Sequence, residues 1–159
     1  MRNGREWPEF CQCNGSICNF DAAKLPADLQ QKLQRAMPGS FPGLAGHEWQ
    51  KHGVCSGLSA ANYFAAVMGA SELTPVPAVL PQAFKTSRLI AASALRKAYG
   101  GDDKTVLRCT VQRGQYLLTA VRSCWKKSAT NERGERISCP QAVRSDDNCT
   151  AAQLFLTPR

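Results

Sequence analysis

Histidine is scarce in this chain: two are present in 159 residues, His47 and His52. The metal-protease pattern His-Glu-x-x-His puts its two ligands at i and i+4 on one helix face. Here the histidines are five apart, so on an α-helix the second is turned about 140° from the first, and no third histidine exists to complete a metal shell. A zinc site is excluded, and neither a metal nor a cofactor is expected. No apolar run reaches the roughly 18 residues that a membrane-spanning helix needs, so no membrane partner is expected. The first twenty residues hold no apolar core of the signal-peptide kind. Internal repeats and low-complexity tracts are absent as well. The hydrophobic share, 43%, is ordinary for a folded chain and argues against disorder. The length suits one domain, residues 1–159, large enough to bury a core.

What is present centres on residues 46–55, Gly-His-Glu-Trp-Gln-Lys-His-Gly-Val-Cys. Read as a helix at about 100° per residue, His47 neighbours Lys51 and Glu48 neighbours His52. The four polar groups then share an arc of roughly 140°, and Trp49 points the other way, toward a core. Gly53 offers a helix end, and Cys55 can pin the segment by a disulfide. One histidine beside a carboxylate is usually just a satisfied residue. Two histidines, a glutamate and a lysine on one arc make an acid–base cluster.

Eight cysteines, an even number without tight metal-ligand spacing, argue for disulfides and an oxidising compartment. Cys11, Cys13 and Cys18 are too irregular for a zinc knuckle, and no histidine is near them. A disulfide protein lacking an export signal is a contradiction. Its simplest resolution is a chain that starts inside a longer precursor, destined for secretion or the periplasm. The net charge of +8 is unevenly placed: residues 1–84 carry six basic and six acidic side chains, residues 85–159 fourteen and six. That excess fits a surface facing a polyanion and equally a solvated basic face with no partner.

Along the chain, residues 1–25 read as a polar, cysteine-rich loop with Trp7 and Phe10 as its large anchors. Pro26 suits the first turn of a helix carrying Leu29, Leu33, Ala36 and Met37, stopped by Pro38-Gly39. Residues 39–45 form a Gly/Pro-rich entry to the central segment. Ser59 caps a further helix with Tyr63, Phe64, Val67 and Met68 as its apolar stripe. Residues 73–84, with Pro75, Pro77 and Pro81, read as an extended loop. Thr86 or Ser87 then caps a helix bearing Leu89, Ile90, Ala94, Leu95 and Ala98, ended by Gly100-Gly101. Beyond it the period changes: 104–112 and 115–125 read as a hairpin joined at Arg113-Gly114, followed by short runs at Arg136–Cys139 and Gln153–Thr157. Helices first and strands after indicate an α+β fold.

The pattern His-Glu-Trp-x-Lys-His-Gly-x-Cys, met by His47, Glu48, Trp49, Lys51, His52, Gly53 and Cys55, resembles the second active-site motif of the ribonuclease T2 family, the secreted acid endoribonucleases. Ser56-Gly57-Leu58-Ser59 and Tyr63-Phe64 are similar to the bacterial branch of that family. Trp7 to Cys11 resembles the stretch just after the family's first motif, His-Gly-Leu-Trp-Pro, which this sequence does not contain. The chain is therefore expected to be truncated before or within that motif. The resemblance implies an antiparallel sheet with helices packed on it, lacking its N-terminal strands.

The family chemistry is attack of an RNA 2′-hydroxyl on the adjacent phosphorus, through a 2′,3′-cyclic phosphate and without metal. The resemblance makes His52 the general base and gives His47 a part in phosphate binding. It assigns Glu48 and Lys51 to transition-state stabilisation. Glu48, one turn from His52, can also orient it or raise its pKa. The family's general acid is the first-motif histidine, which nothing here matches, and a lost proton-transfer group typically costs about 10²–10⁴-fold in rate. Trp7 resembles an aromatic that stacks on a base and reads equally well as a core anchor. The resemblance pairs Cys55 with Cys11, Cys109 with Cys149 and Cys124 with Cys139, leaving Cys13 to Cys18. On the residues alone, Cys13 or Cys18 could equally partner Cys55. The expectation is a monomeric endoribonuclease acting on single-stranded RNA. A catalytically impaired, secreted RNA-binding protein and a purely structural or regulatory disulfide protein are the alternatives.

Overall fold

Leu29 and Leu33 lie one turn apart on α1 (Ala27–Ala36), where their burial (6% and 0% exposed) holds a short helix of otherwise polar residues in place. The computed structural model describes residues 9–86, 88–126 and 135–156. Two compact units make up the chain, one built on residues up to Leu73 and the other on Thr74–Lys126 and the residues from Arg136 onward. The whole is α+β, with helices in both units and a sheet in the second.

In the first unit, α1 is followed by a winding entry at Ser40–Leu44, broken at Phe41 by extended backbone. A helix then runs without interruption through α2 (Ala45–Glu48), a π turn (Trp49–Gly53) and α3 (Val54–Ser56), stopping at Gly57 with φ 70°. Ser59 caps α4 (Ala60–Glu72), its hydroxyl oxygen accepting from the Asn62 amide at 3.3 Å. Leu25, Leu29, Leu33, Ala45, Trp49, Phe64 and Met68 form the buried cluster between these helices. Two expectations fail here. Val67 is 40% exposed, so the apolar stripe of α4 narrows to Tyr63, Phe64 and Met68. Phe10 is 63% exposed and anchors nothing; the aromatic of the N-terminal loop that enters the core is Phe20, edge-on to Phe64 at 5.6 Å. Trp7 lies outside the described residues.

The second unit holds α5 (Val79–Thr86), β1 (Leu89–Ala91), α6 (Ala92–Ala98), β2 (Thr105–Gln112), β3 (Gln115–Trp125), β4 (Arg136–Ile137), α7 (Gln141–Arg144) and β5 (Gln153–Leu156). The sheet order is β1-β5-β3-β2, with β4 on the far end of β3. Pairing is antiparallel except between β5 and β3, which run parallel, so the expected antiparallel sheet is in fact mixed. The β2–β3 hairpin turns at Arg113-Gly114, both with positive φ (48° and 75°), as a two-residue hairpin turn demands. The outer edge of β2 is closed by side chains. Asp147 accepts from the Leu107 amide at 3.0 Å, Asn148 accepts from the Cys109 amide at 2.8 Å, and Cys109–Cys149 ties the two segments covalently.

Two further expectations are corrected in this unit. Residues 79–86 are helical because Pro81 falls in the first turn of α5, where the missing N–H is an unsatisfied one anyway. Leu89 and Ile90 are not helical but form β1 against Phe155 and Leu154. A run of three apolar residues fits either period, and burial of Ile90 (4% exposed) against the sheet decides it.

Candidate active site

The central helix owes its position to Trp49, which is fully buried and meets Tyr63 of α4 edge-on at 5.7 Å. Gly53 does not end the helix, as the sequence reading expected. Its φ and ψ of −59° and −45° are helical, and a Cβ there would lie 2.1 Å from the Trp49 ring. Glycine is required because the indole packs against the next turn of its own helix. The π turn at the same place adds a residue to one turn, closing backbone bonds from i to i+5. Such a turn lessens the angular offset between residues five apart, so the geometry departs from the ideal α-helix spacing used for the sequence.

On the outer face, His52 Nε2 stands 3.9 Å from Glu48 Oε2. The His52 side chain is 17% exposed and that of Glu48 34%. Burial pushes the His52 pKa below its ordinary value; Glu48 pulls it up, Lys51 pushes it down, Glu9 raises it and His47 lowers it. The sequence reading gave Glu48 a raising role, and it has one, but desolvation is the larger influence. Tyr63, behind this face, is pushed up to about 12 by burial and by the Glu48 charge, so its phenol keeps its proton at any working pH. His47 is exposed, with the Phe10 ring edge-on at 6.5 Å.

A second segment reaches this face. The Phe10 amide donates to the Lys51 carbonyl at 2.8 Å, and Cys11 is disulfide-bonded to Cys55. Glu9, just before them, places Oε1 3.7 Å from Lys51 Nζ. The sequence reading did not single out Glu9. The signal was available: once Cys11 is joined to Cys55, the residue two before Cys11 is carried to the turn that precedes Cys55. The site thus gathers His47, Glu48, Lys51 and His52 on one helix and adds a carboxylate from the N-terminal loop. Cys13–Cys18, five residues apart, closes a small loop beyond it.

A clustered pair of imidazoles with a lysine ammonium and flanking carboxylates can exchange protons near neutral pH and stabilise a developing anion. The protein-family model for the ribonuclease T2 family matches residues 1–139. The chain belongs to the ribonuclease T2 family. Membership makes it an endoribonuclease, with RNA as the substrate class. No curated protein and no solved structure gives a significant match to the chain. Four disulfides, Cys11–Cys55, Cys13–Cys18, Cys109–Cys149 and Cys124–Cys139, accompany the ribonuclease T2 site. Among the described residues, no group of three or more His, Cys, Asp or Glu is placed to hold a metal ion. No helix among them is long and apolar enough to cross a membrane.

The basic excess of the C-terminal half is partly spent inside the second unit. Arg96 binds Asp147 at 2.9 Å and faces Asp102 at 3.9 Å, while Arg122 binds Asp146 at 3.1 Å. Arg108 donates to the Asp146 carbonyl. These arginines fix loops as well as adding charge, which composition could not reveal.

Proposed function

We propose that this ribonuclease T2-family chain cleaves single-stranded RNA by intramolecular transphosphorylation, without a metal ion. His52 takes the proton from the 2′-hydroxyl as that oxygen forms its bond to phosphorus. The phosphorus–O5′ bond breaks, the leaving oxygen takes a proton from water, and His52 returns its proton to solvent, giving a 2′,3′-cyclic phosphate and a 5′-hydroxyl. Glu48 holds His52 in place and balances its positive charge once it has taken the proton. Lys51 stabilises charge on the phosphoryl oxygens, and His47 binds phosphate at the exposed end of the face. The observation that carries this reading is the Glu48–His52 pair at 3.9 Å beside Lys51, with burial favouring the neutral, proton-accepting form of His52. Four disulfides favour an oxidising compartment, so we place the protein outside the cytoplasm, secreted or periplasmic.

Lys51→Ala tests the electrostatic part. Turnover should fall by about 10²-fold or more, with a smaller change in KM, because the charge matters most in the transition state. Activity of the unmodified protein should persist in excess EDTA. Loss of activity with the chelator, or a Lys51→Ala effect confined to KM, would remove this mechanism.

A specific observation favours a second reading. Both histidines of the 159 residues sit on this helix, so the acid that the family takes from its first motif is not among them. These residues alone are then an RNA-binding unit with cleavage slowed by about 10²–10⁴-fold. Undiminished oligonucleotide binding with no detectable cyclic phosphate would select it.

Glu9 has a measurable effect under either reading. Its carboxylate offsets part of the Lys51 charge, and RNA phosphate competes with it for the ammonium. Both groups are about one-third exposed (Lys51 31%, Glu9 35%), so the pair is weak. Glu9→Gln is expected to tighten RNA binding by about 2–5-fold at low salt, with the gain shrinking as salt screens Lys51. A titration of binding against ionic strength checks this, and unchanged or weaker binding contradicts it.

A further inference from the structure

The C-terminal halves of α1 and α4 border a groove of about 370 Å³ in the first unit, lined by Lys32, Arg35, Ala36, Met68, Ser71 and Glu72. None of these residues belongs to the helix that carries His47, Glu48, Lys51 and His52. The volume lies within the range of small-ligand sites. Its floor is Met68, 8% exposed and packed in the cluster that seats Trp49, while Ala36 offers only a methyl group and leaves the space open. The two cations are not equivalent. Lys32 Nζ is held by Glu72 Oε1 at 3.1 Å, across the two helices. Arg35 is exposed and has neither a hydrogen-bond nor an ion-pair partner among the described residues. The helix dipole favours a cation in the last turn of α1, but it does not require an open groove with a thioether floor beside it. An unpaired guanidinium over such a floor matches a ligand that joins an anionic group to an apolar ring. Guanidinium groups bind phosphate through paired N–H donors, and methionine sulfur makes favourable contacts with aromatic rings.

We propose that this groove binds a nucleoside monophosphate unit, with the phosphate on Arg35 and the base against Met68. The choice of a nucleotide over other phosphate compounds rests on the RNA-cleaving reading. Lys32 stays with Glu72, and two cations against one carboxylate leave the groove net positive. The unit has two sources: a nucleotide remote from the cut in the bound RNA strand, or a free mononucleotide left by digestion. In the first case the groove acts as a second attachment point and holds long strands more tightly than short ones.

The probe is adenosine 5′-monophosphate, titrated into protein carrying ¹³C at its methionine methyl groups. The chain has three methionines, and the Met68 signal is identified by its loss in Met68→Leu. The ring current of the base should shift that signal saturably. Arg35→Ala should weaken the titration about 10–100-fold, the range for losing a charge-assisted contact, and Arg35→Glu should remove it. Adenosine, which lacks the phosphate, should bind the unmodified chain no better than the nucleotide binds Arg35→Ala. Position 35 is exposed, so both variants should fold, and circular dichroism checks this. Nucleotide bound only at the catalytic face would move Met68 through Trp49, and equally in Arg35→Ala. A Met68 signal that stays still, or that moves equally in Arg35→Ala, overturns the proposal. Non-cleavable 2′-deoxy oligonucleotides separate the two sources. Weaker binding of a long strand, but not of a dinucleotide, by Arg35→Ala identifies a remote residue of the strand; a loss confined to the mononucleotide identifies the free product. The outcomes are distinct from those for cleavage. Arg35-dependent binding by a chain that forms no cyclic phosphate removes the reaction and keeps the groove; a chain that forms cyclic phosphate with Met68 unmoved does the reverse.

Discussion

His52→Ala is expected to reduce RNA cleavage by about 10²–10⁴-fold relative to the unmodified chain, the usual cost of losing a general base. The pH dependence should identify the group. A base works in its unprotonated form, and burial lowers the pKa of His52, with Lys51 and His47 pushing the same way against Glu48 and Glu9. The neutral imidazole therefore survives to lower pH than a free histidine would allow, the unperturbed value being about 6.5. The acidic limb of kcat/KM should lie below that value, with the rate falling as pH drops through it. Glu48→Gln removes an influence that raises the pKa, so the limb should move to still lower pH. The same sign applies to Glu9→Gln. An acidic limb above the ordinary histidine range, or a shift upward in Glu48→Gln, would show that burial is not the governing influence on His52.

The second large effect concerns the helix itself. Gly53→Ala is expected to destabilise the protein severely, although alanine favours a helix interior over glycine by about 1 kcal/mol. The backbone at Gly53 is helical, so the conformation is not the obstacle. The obstacle is the Trp49 ring, which a new Cβ would meet at 2.1 Å. Trp49 is fully buried and cannot swing aside without leaving the cluster formed by Leu29, Leu33, Ala45, Phe64 and Met68. Expelling it should cost about 3–5 kcal/mol, comparable to deleting a buried aromatic, and lower Tm by roughly 10 °C or more. Thermal melts of Gly53→Ala and Trp49→Ala side by side measure it. A Gly53→Ala protein as stable as the parent would mean that the ring is not seated where the structure puts it.

How far the sequence could be read depended on the kind of interaction each feature relies on. The helix of Leu29 and Leu33, the Ser59 cap and the Arg113-Gly114 turn were legible because each is decided within a few residues. Residues 89–91 were not: three apolar residues suit either period, and their partner strand lies at Gln153–Phe155, more than sixty positions away. The parallel pairing of β5 with β3 was unreadable for the same reason. Pro81 reads as a loop residue in the sequence because its position within a first helical turn is visible only once the helix exists. At the site, the polar face of residues 47–52 was evident from spacing. The π turn was not, since it arises where the ring of Trp49 and the backbone of Gly53 pack together. Nothing in the cysteine spacing chose among the 105 pairings open to eight cysteines. Glu9 and Phe10 lie beside the helix next to the covalent bond that one such pairing creates, and they meet it at Lys51.

The account is tested most directly by analysing the ends of the products from a single-stranded oligoribonucleotide that carries one 2′-deoxy residue at a known position. If the helix face of His47, Glu48, Lys51 and His52 drives attack by the 2′-hydroxyl, every cut should leave a 2′,3′-cyclic phosphate and a 5′-hydroxyl. No cut should occur 3′ to the deoxy residue. Products with a 3′-hydroxyl and a 5′-phosphate, or cleavage at the deoxy position, would require water as the nucleophile and would contradict the mechanism.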